Sequence, residues 1–175
     1  MSALPSLLES LPEAARDARL NASSVLSGGS LTPGQRWGVA IACAATLRHA
    51  ALRDAVLADA HAELGEGALA VIDDGNAAAS LMAMNNVYYR FRHLIEKEAY
   101  THRPARLRMN RLGKPATSLV DFELYCLAVS AINACATCIQ AHERVVLEGG
   151  LTEEQVHDAV RIAAVLSAAA VSLTL

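Results

Sequence analysis

Aromatic side chains are scarce in this sequence: one Trp, four Tyr and two Phe make up 4% of its 175 residues. Yet 53% of the chain is hydrophobic, so any interior must be built from Ala, Leu, Val and Ile. Alanine gives up no side-chain entropy in a helix, and an Ala/Leu interior lets helices pack closely. Sustained two-residue alternation with β-branched enrichment is missing, which argues against strands. An excess of either charge is missing too, with 15 basic against 18 acidic residues and a net charge of −3. A nucleic-acid partner, which calls for a clustered basic surface, is therefore not expected. The only basic concentration, Arg103–Arg111, reads as a solvated connector or a subunit contact.

No apolar run reaches the roughly 20 residues a bilayer span needs. The most apolar stretch, Ile162–Leu175, reads as a buried core helix, and no membrane partner is expected. The first 20 residues carry Glu9, Glu13, Arg16, Asp17, Arg19 and two prolines, without the basic and apolar regions of a signal peptide. The expectation is a cytoplasmic protein in a reducing compartment. There structural disulfides are uncommon, and a CxxC pair points to catalysis or metal binding.

What the chain has in abundance is helix punctuation. Thr32-Pro33-Gly34-Gln35 combines an N-cap threonine, a proline at the first helical position and glutamine three residues after the cap. The apolar run from Trp37 to Leu47 follows. Ser118-Leu119-Val120-Asp121 opens a second helix through Phe122, Tyr125, Cys126 and Val129, and Thr152-Glu153-Glu154-Gln155 opens the last one. Gly149-Gly150 ends the helix before it, because glycine tolerates the left-handed position beyond a helix C-terminus. The predicted fold is all-α, one compact multi-helix domain over 1–175 with roughly eight helices. A faint internal echo, Trp37-Gly-Val-Ala-Ile-Ala-Cys against Tyr125-Cys-Leu-Ala-Val-Ser-Ala, allows a helical duplication.

The chemistry concentrates in 123–143, around Cys135-Ala-Thr-Cys138-Ile-Gln-Ala-His142-Glu143. Cysteines three apart on a helix share a face, with Cα atoms roughly 5–6 Å apart, inside the disulfide window. His142 lies one turn beyond Cys138 and about 10.5 Å along the helix from Cys135. Asn133 is a candidate N-cap, which would place both thiols near the positive helix end that favours thiolate. The helix end favours Cys135 and the histidine favours Cys138, so these cues disagree on which sulfur attacks. On one unbroken helix Glu123 would lie about 22 Å from Cys138, too far for a relay. A reversal near Asn133 instead lets Glu123, about 15 Å down one arm, meet His142, about 13.5 Å down the other. The acid then orients the ring and the ring moves the thiol proton.

Plainer readings compete. Cys135, Cys138 and His142 could supply three zinc ligands, although no fourth is obvious. Thioredoxin-like chemistry lacks its βαβ surroundings. Cys43 and Cys126 sit in apolar runs as small core hydrophobes. His49, His61, His93, His102 and His157 have no organised partners and read as surface residues.

At these residues the sequence resembles the alkyl hydroperoxide reductase D (AhpD) family of the carboxymuconolactone decarboxylase-like superfamily. The resemblance extends from Leu20-Asn21 through Gln35-x-Trp37-Gly38, Met82-x-Met84-Asn85-Asn86-Val87-Tyr88-Tyr89-Arg90 and Leu107-Arg108-Met109-Asn110. It is strongest from Phe122-Glu123-Leu124 to Cys135-x-x-Cys138-x-x-x-His142-Glu143. It implies a homotrimer that reduces organic hydroperoxides with no bound cofactor, Cys138 being the peroxidatic sulfur and Cys135 the resolving one, paired as a disulfide. Glu123 and His142 are then the proton relay. Dihydrolipoyl groups on a lipoylated 2-oxoacid dehydrogenase component are the implied reductant, with dihydrolipoamide dehydrogenase upstream and a peroxiredoxin as possible partner. Members of that family carry histidine between the cysteines where this chain has Thr137, which can hydrogen-bond but cannot titrate. The alternatives are a disulfide-reductase adaptor serving that peroxiredoxin, and a non-catalytic oligomer with zinc or a structural thiol pair.

Overall fold

The computed structural model describes residues 2–175, and among them there is no β-strand. The all-α expectation holds, with nine α-helices among the described residues in place of roughly eight because one is a single turn. They are α1 (Ala3–Glu9), α2 (Arg16–Ser27), α3 (Pro33–Leu47), α4 (Ala50–Leu64), α5 (Ala68–Ile95), α6 (Glu98–Thr101), α7 (Leu119–Ile132), α8 (Ala136–Glu148) and α9 (Glu153–Ser172). The three predicted helix starts form as the sequence directs. Thr32 and Thr152 each close a reciprocal capping box with the glutamine three residues on, and the Ser118 hydroxyl accepts from the Asp121 N–H.

The most apolar helices, α3 and α7, run through the middle and pack against each other, and α5 and α9 lie against both. Nine residues of each central helix are buried. Such close packing needs small side chains. A Cβ on Gly38 would fall 2.0 Å from Tyr125 Cζ where α3 crosses α7, and one on Gly75 would fall 2.8 Å from Ile41 Cγ2 where α5 crosses α3. The Tyr125 hydroxyl spans the first crossing and donates to the Gly34 carbonyl at 3.1 Å.

The internal echo has a structural counterpart, in a register two residues away from the one the letters suggest. Gln35 Nε2 donates to Asp121 Oδ1 at 2.8 Å across a separation of 86 residues. That same shift relates the N-caps Thr32 and Ser118, the left-handed residues Arg48 and Ala134, and the N-caps His49 and Cys135. It also relates the buried stripe Leu52, Val56, Ala60 of α4 to Cys138, His142, Val146 of α8. The hairpins α3–α4 and α7–α8 therefore share one plan, each followed by a long packing helix. α5 runs further than α9, through Arg90 to Ile95, and its distal turns reach the α7–α8 turn.

Two carboxylates fasten the segments that lead into the central helices. Asp74 on α5 accepts from the Ala116 N–H (3.0 Å), the Thr117 N–H and hydroxyl (both 2.6 Å) and the Arg111 guanidinium. Arg111 also pairs with Asp73, so the basic stretch ends as an anchored connector. Asp158 on α9 accepts from the Ser30 N–H and hydroxyl, both at 2.8 Å, and from Arg161 at 2.9 Å.

Candidate active site

The chain reverses between α7 and α8 within three residues, which brings together the residues that the sequence singled out. Ala134 takes a left-handed backbone (φ 52°), and α8 begins at Ala136 with Cys135 as its N-cap. This corrects the expectation that Asn133 is that cap. Asn133 instead ends α7, its N–H bonding the Val129 carbonyl at 3.0 Å. Its side chain is already engaged, donating to Asn86 Oδ1 at 2.9 Å, and its carbonyl accepts from Arg90. With the helix starting later than expected, Cys138 itself occupies the third helical position, within the positive first turn.

Cys135 and Cys138 are joined as a disulfide, with their Cα atoms 5.3 Å apart. Their surroundings differ. Cys135 is 0% exposed, with the Thr137 hydroxyl 3.7 Å from its sulfur. Cys138 is 7% exposed and lines a cleft of about 230 Å³ together with Met82, Asn85, Tyr89, Met109, Leu112 and His142.

Glu123 and His142 meet across the hairpin, Glu123 Oε2 lying 2.5 Å from His142 Nδ1. Both are buried, so the pair satisfies two polar groups that would be costly alone. The far side of the ring, Nε2, faces Met82 Sδ at 3.3 Å, at the wall of the cleft. With both sulfurs tied in the disulfide, the ring bonds neither of them.

The remaining cysteines lie elsewhere in the core. Cys43 and Cys126 are fully buried, and burial pushes both thiols well up; for Cys126 the Glu123 and Asp74 charges add to that effect. A protonated thiol is a poor nucleophile. Two of the other histidines do have partners, contrary to expectation. The His49 ring accepts from the Leu52 N–H at 3.3 Å as the cap of α4, and exposed His102 lies 3.1 Å from Glu98. Among the described residues no three His, Cys, Asp or Glu side chains are grouped to hold a metal ion. None of the described helices is long and apolar enough to cross a membrane.

Sequence reasoning left the opposite wall of the cleft, Met82, Asn85, Tyr89, Met109 and Leu112, without roles. The available signal was the pair Asn85-Asn86 in an otherwise apolar stretch of α5. Asn86 is fully engaged, donating to Ser130 Oγ at 2.9 Å and accepting from Asn133.

Comparison with known proteins fits this arrangement. The carboxymuconolactone decarboxylase family matches residues 98–174, the stretch that contains the Cys135–Cys138 pair, Glu123 and His142. Proteins named alkyl hydroperoxide reductase AhpD align along nearly the whole chain. That of Anaeromyxobacter dehalogenans (strain 2CP-1) is 63% identical over 175 residues, covering 100% of this chain and 92% of its own. That of Methylobacterium sp. (strain 4-46) is 50% identical over 170 residues, covering 97% and 95%. The Brucella canis protein is 47% identical over 167 residues, covering 95% and 94%.

Proposed function

Because the chain belongs to the alkyl hydroperoxide reductase AhpD family, we propose that it is a thiol peroxidase that reduces organic hydroperoxides at Cys138. The observation that carries this reading is the buried Glu123–His142 contact of 2.5 Å, one turn along α8 from a cysteine that opens onto a cleft.

The cycle starts when the disulfide is reduced to two thiols. Glu123 holds His142 by Nδ1, and Nε2 takes the proton of Cys138. The thiolate attacks the terminal oxygen of the hydroperoxide. An S–O bond forms, the O–O bond breaks, and its electron pair leaves on the alkoxide oxygen, which takes the proton from His142 and departs as the alcohol. Cys135 then attacks the Cys138 sulfenic acid, closing the disulfide and releasing water. An external dithiol restores both thiols and leaves as its own disulfide. Cys138 is the attacking sulfur in this scheme because it borders the cleft, shares the first helical turn and lies one turn from His142. Cys135, buried behind it, resolves. Met82, Tyr89, Met109 and Leu112 give the cleft walls suited to an alkyl group.

The reductant in this reading is a dihydrolipoyl group on a 2-oxoacid dehydrogenase component, kept reduced by dihydrolipoamide dehydrogenase in the cytoplasm, with a peroxiredoxin as a further acceptor. The chain works as a homotrimer. Val87, Phe91 and Leu94 stand exposed along one side of α5 at helical spacing, which supports a subunit contact there. The deciding experiment follows hydroperoxide consumption with dihydrolipoamide as donor, with and without a peroxiredoxin. Consumption by the isolated protein is expected; turnover that requires the peroxiredoxin would make the chain an adaptor.

A further inference from the structure

Two adjacent asparagines on α5 face the redox site, and only one of them is used by the fold. Asn86 exchanges hydrogen bonds with Ser130 and Asn133 and fixes the α7–α8 turn. Asn85 is 5% exposed and lines the cleft beside Cys138 and His142. Its Oδ1 is shielded from solvent and meets no donor among the described residues. An unpaired buried amide oxygen is destabilising, and such an atom in a native fold calls for a reason. Met82, Met109, Leu112 and Ala141 add no strong hydrogen-bonding side-chain group to the cleft wall, and the Tyr89 and Thr137 hydroxyls are its other neutral polar groups.

Resting on the peroxidase reading, we propose that the Asn85 carboxamide is the hydroperoxide-binding group of this cleft. A hydroperoxide carries one O–H donor and two acceptor oxygens, and a carboxamide carries an acceptor and two donors. A partial turn of the carboxamide about its Cβ–Cγ bond brings Oδ1 to the cleft, where it accepts from the O–H of the substrate while Nδ2–H donates to an oxygen of the O–O unit. This fixes the terminal oxygen towards Cys138. As the O–O bond breaks, the donor also faces the oxygen on which charge develops, where a positioned N–H is worth most. The alkyl group lies along Met109 and Leu112. The fold thus keeps an unsatisfied amide oxygen beside the cleft, a stability cost borne at a functional site.

The test separates the two half-reactions in Asn85→Leu, which keeps the volume and removes the hydrogen bonding, and in Asn85→Ser, which stays polar. Reduced protein is mixed with tert-butyl hydroperoxide, and oxidised protein with dihydrolipoamide, each in single turnover. Asn85→Leu is expected to react with peroxide about 10- to 100-fold more slowly. Its disulfide should be reduced at the wild-type rate, and its Tm should be unchanged or higher, since an unpaired polar group has gone. Asn85→Ser should fall between Asn85→Leu and wild type. Peroxide reaction at the wild-type rate in Asn85→Leu overturns the proposal. So does an equal loss in both half-reactions with a lowered Tm, because that is the mark of a structural residue. Wild-type protein whose reduced thiols ignore peroxide overturns the peroxidase reading itself, and Asn85 with it.

Discussion

The hairpins α3–α4 and α7–α8 have the same backbone plan and opposite content. Where the second has Glu123, the first has Trp37 in the same register, and where the second has Cys138 and His142, the first has Leu52 and Val56. The N-cap Cys135 corresponds to His49, whose ring caps α4 and does nothing else visible. Apart from half-buried His49, every one of these positions is buried in both hairpins, so the backbone supplies the setting twice and the chemistry once. A short reversal through a left-handed residue brings one helix's mid-point against its neighbour's first turns. Apolar residues there make a plain core contact. A carboxylate and an imidazole there satisfy each other away from water, one turn along α8 from Cys138.

The sharpest way to break this contrast is to remove what the first hairpin lacks. Cys138→Ser should abolish peroxide reduction completely. Cys135→Ser should still consume one equivalent of peroxide per chain and then stop, or depend on outside thiol. Mass mapping of peroxide-treated wild type should find Cys135 linked to Cys138, with Cys43 and Cys126 unmodified. A major bridge through either core cysteine would remove the site from α8. Next in size is the relay. His142→Phe should slow peroxide attack by about 10²–10⁴, and Glu123→Gln should cost less. Because the acid acts through the ring, Glu123→Gln should add almost nothing once His142 is gone. A double-mutant loss equal to the product of the single losses would mean that the two residues act independently, contact or no contact.

The helices and their starts were legible in the sequence because caps are local: Thr32, Ser118 and Thr152 each bond within three residues of themselves. The Glu123–His142 contact was legible for a related reason, since helix rise alone requires a reversal before Glu123 can reach His142. The position of that reversal was not fully legible. Asn133 has the side chain of an N-cap, yet a partner 47 residues away, Asn86, takes that side chain. The duplication was misregistered because letters were matched, whereas the fold repeats burial stripes and caps with different side chains in them. Cleft residues such as Met109 and Leu112 come from a connector held by Asp74, a tertiary contact with no local pattern to announce it.

Gly38 offers a smaller but direct probe of how the hairpins fit together. The corresponding position on α7 is Leu124, fully buried and well accommodated, while Gly38 lies under the Tyr125 ring. Gly38→Ala should force that ring off the helix and cost about 3 kcal/mol, the upper part of the usual overpacking range. For a chain of this size that lowers Tm by roughly 6–12 °C. A thermal melt that shows no loss would mean that the two central helices can slide apart freely, and the tight crossing would then not set the hairpin geometry.

The finest distinction lies between the two carboxylate clamps, which do the same work at the entrances to α7 and α3. Burial raises the Asp74 carboxyl, but hydrogen bonds from Thr117, Ala116 and Arg111 outweigh it and hold the group below its ordinary value of 3.8. Asp158 is also held low, with burial opposed by Ser30 and Arg161. A group held low in the folded chain stabilises it fully above its unfolded value of about 3.9 and loses that contribution as pH falls through the folded value. Asp74→Asn and Asp158→Asn should therefore both destabilise at pH 7 and approach wild type as pH drops below about 4. The sizes should differ, because the Asp74 side chain is 0% exposed and that of Asp158 is 13% exposed. Asp74→Asn should cost on the order of 2 kcal/mol, as expected for charged hydrogen bonds without water, and Asp158→Asn about half of that or less. Tm measured from pH 7 to pH 3 on the three proteins reads both the sign and the ranking. Asp74 also holds the connector that brings Met109 and Leu112 to the cleft, so its loss should slow peroxide reaction as well. Asp158 clamps the hairpin without chemistry, and Asp158→Asn should leave the peroxide rate of folded protein unchanged. Equal losses of rate in the two variants would mean that the α5 clamp acts on the fold alone.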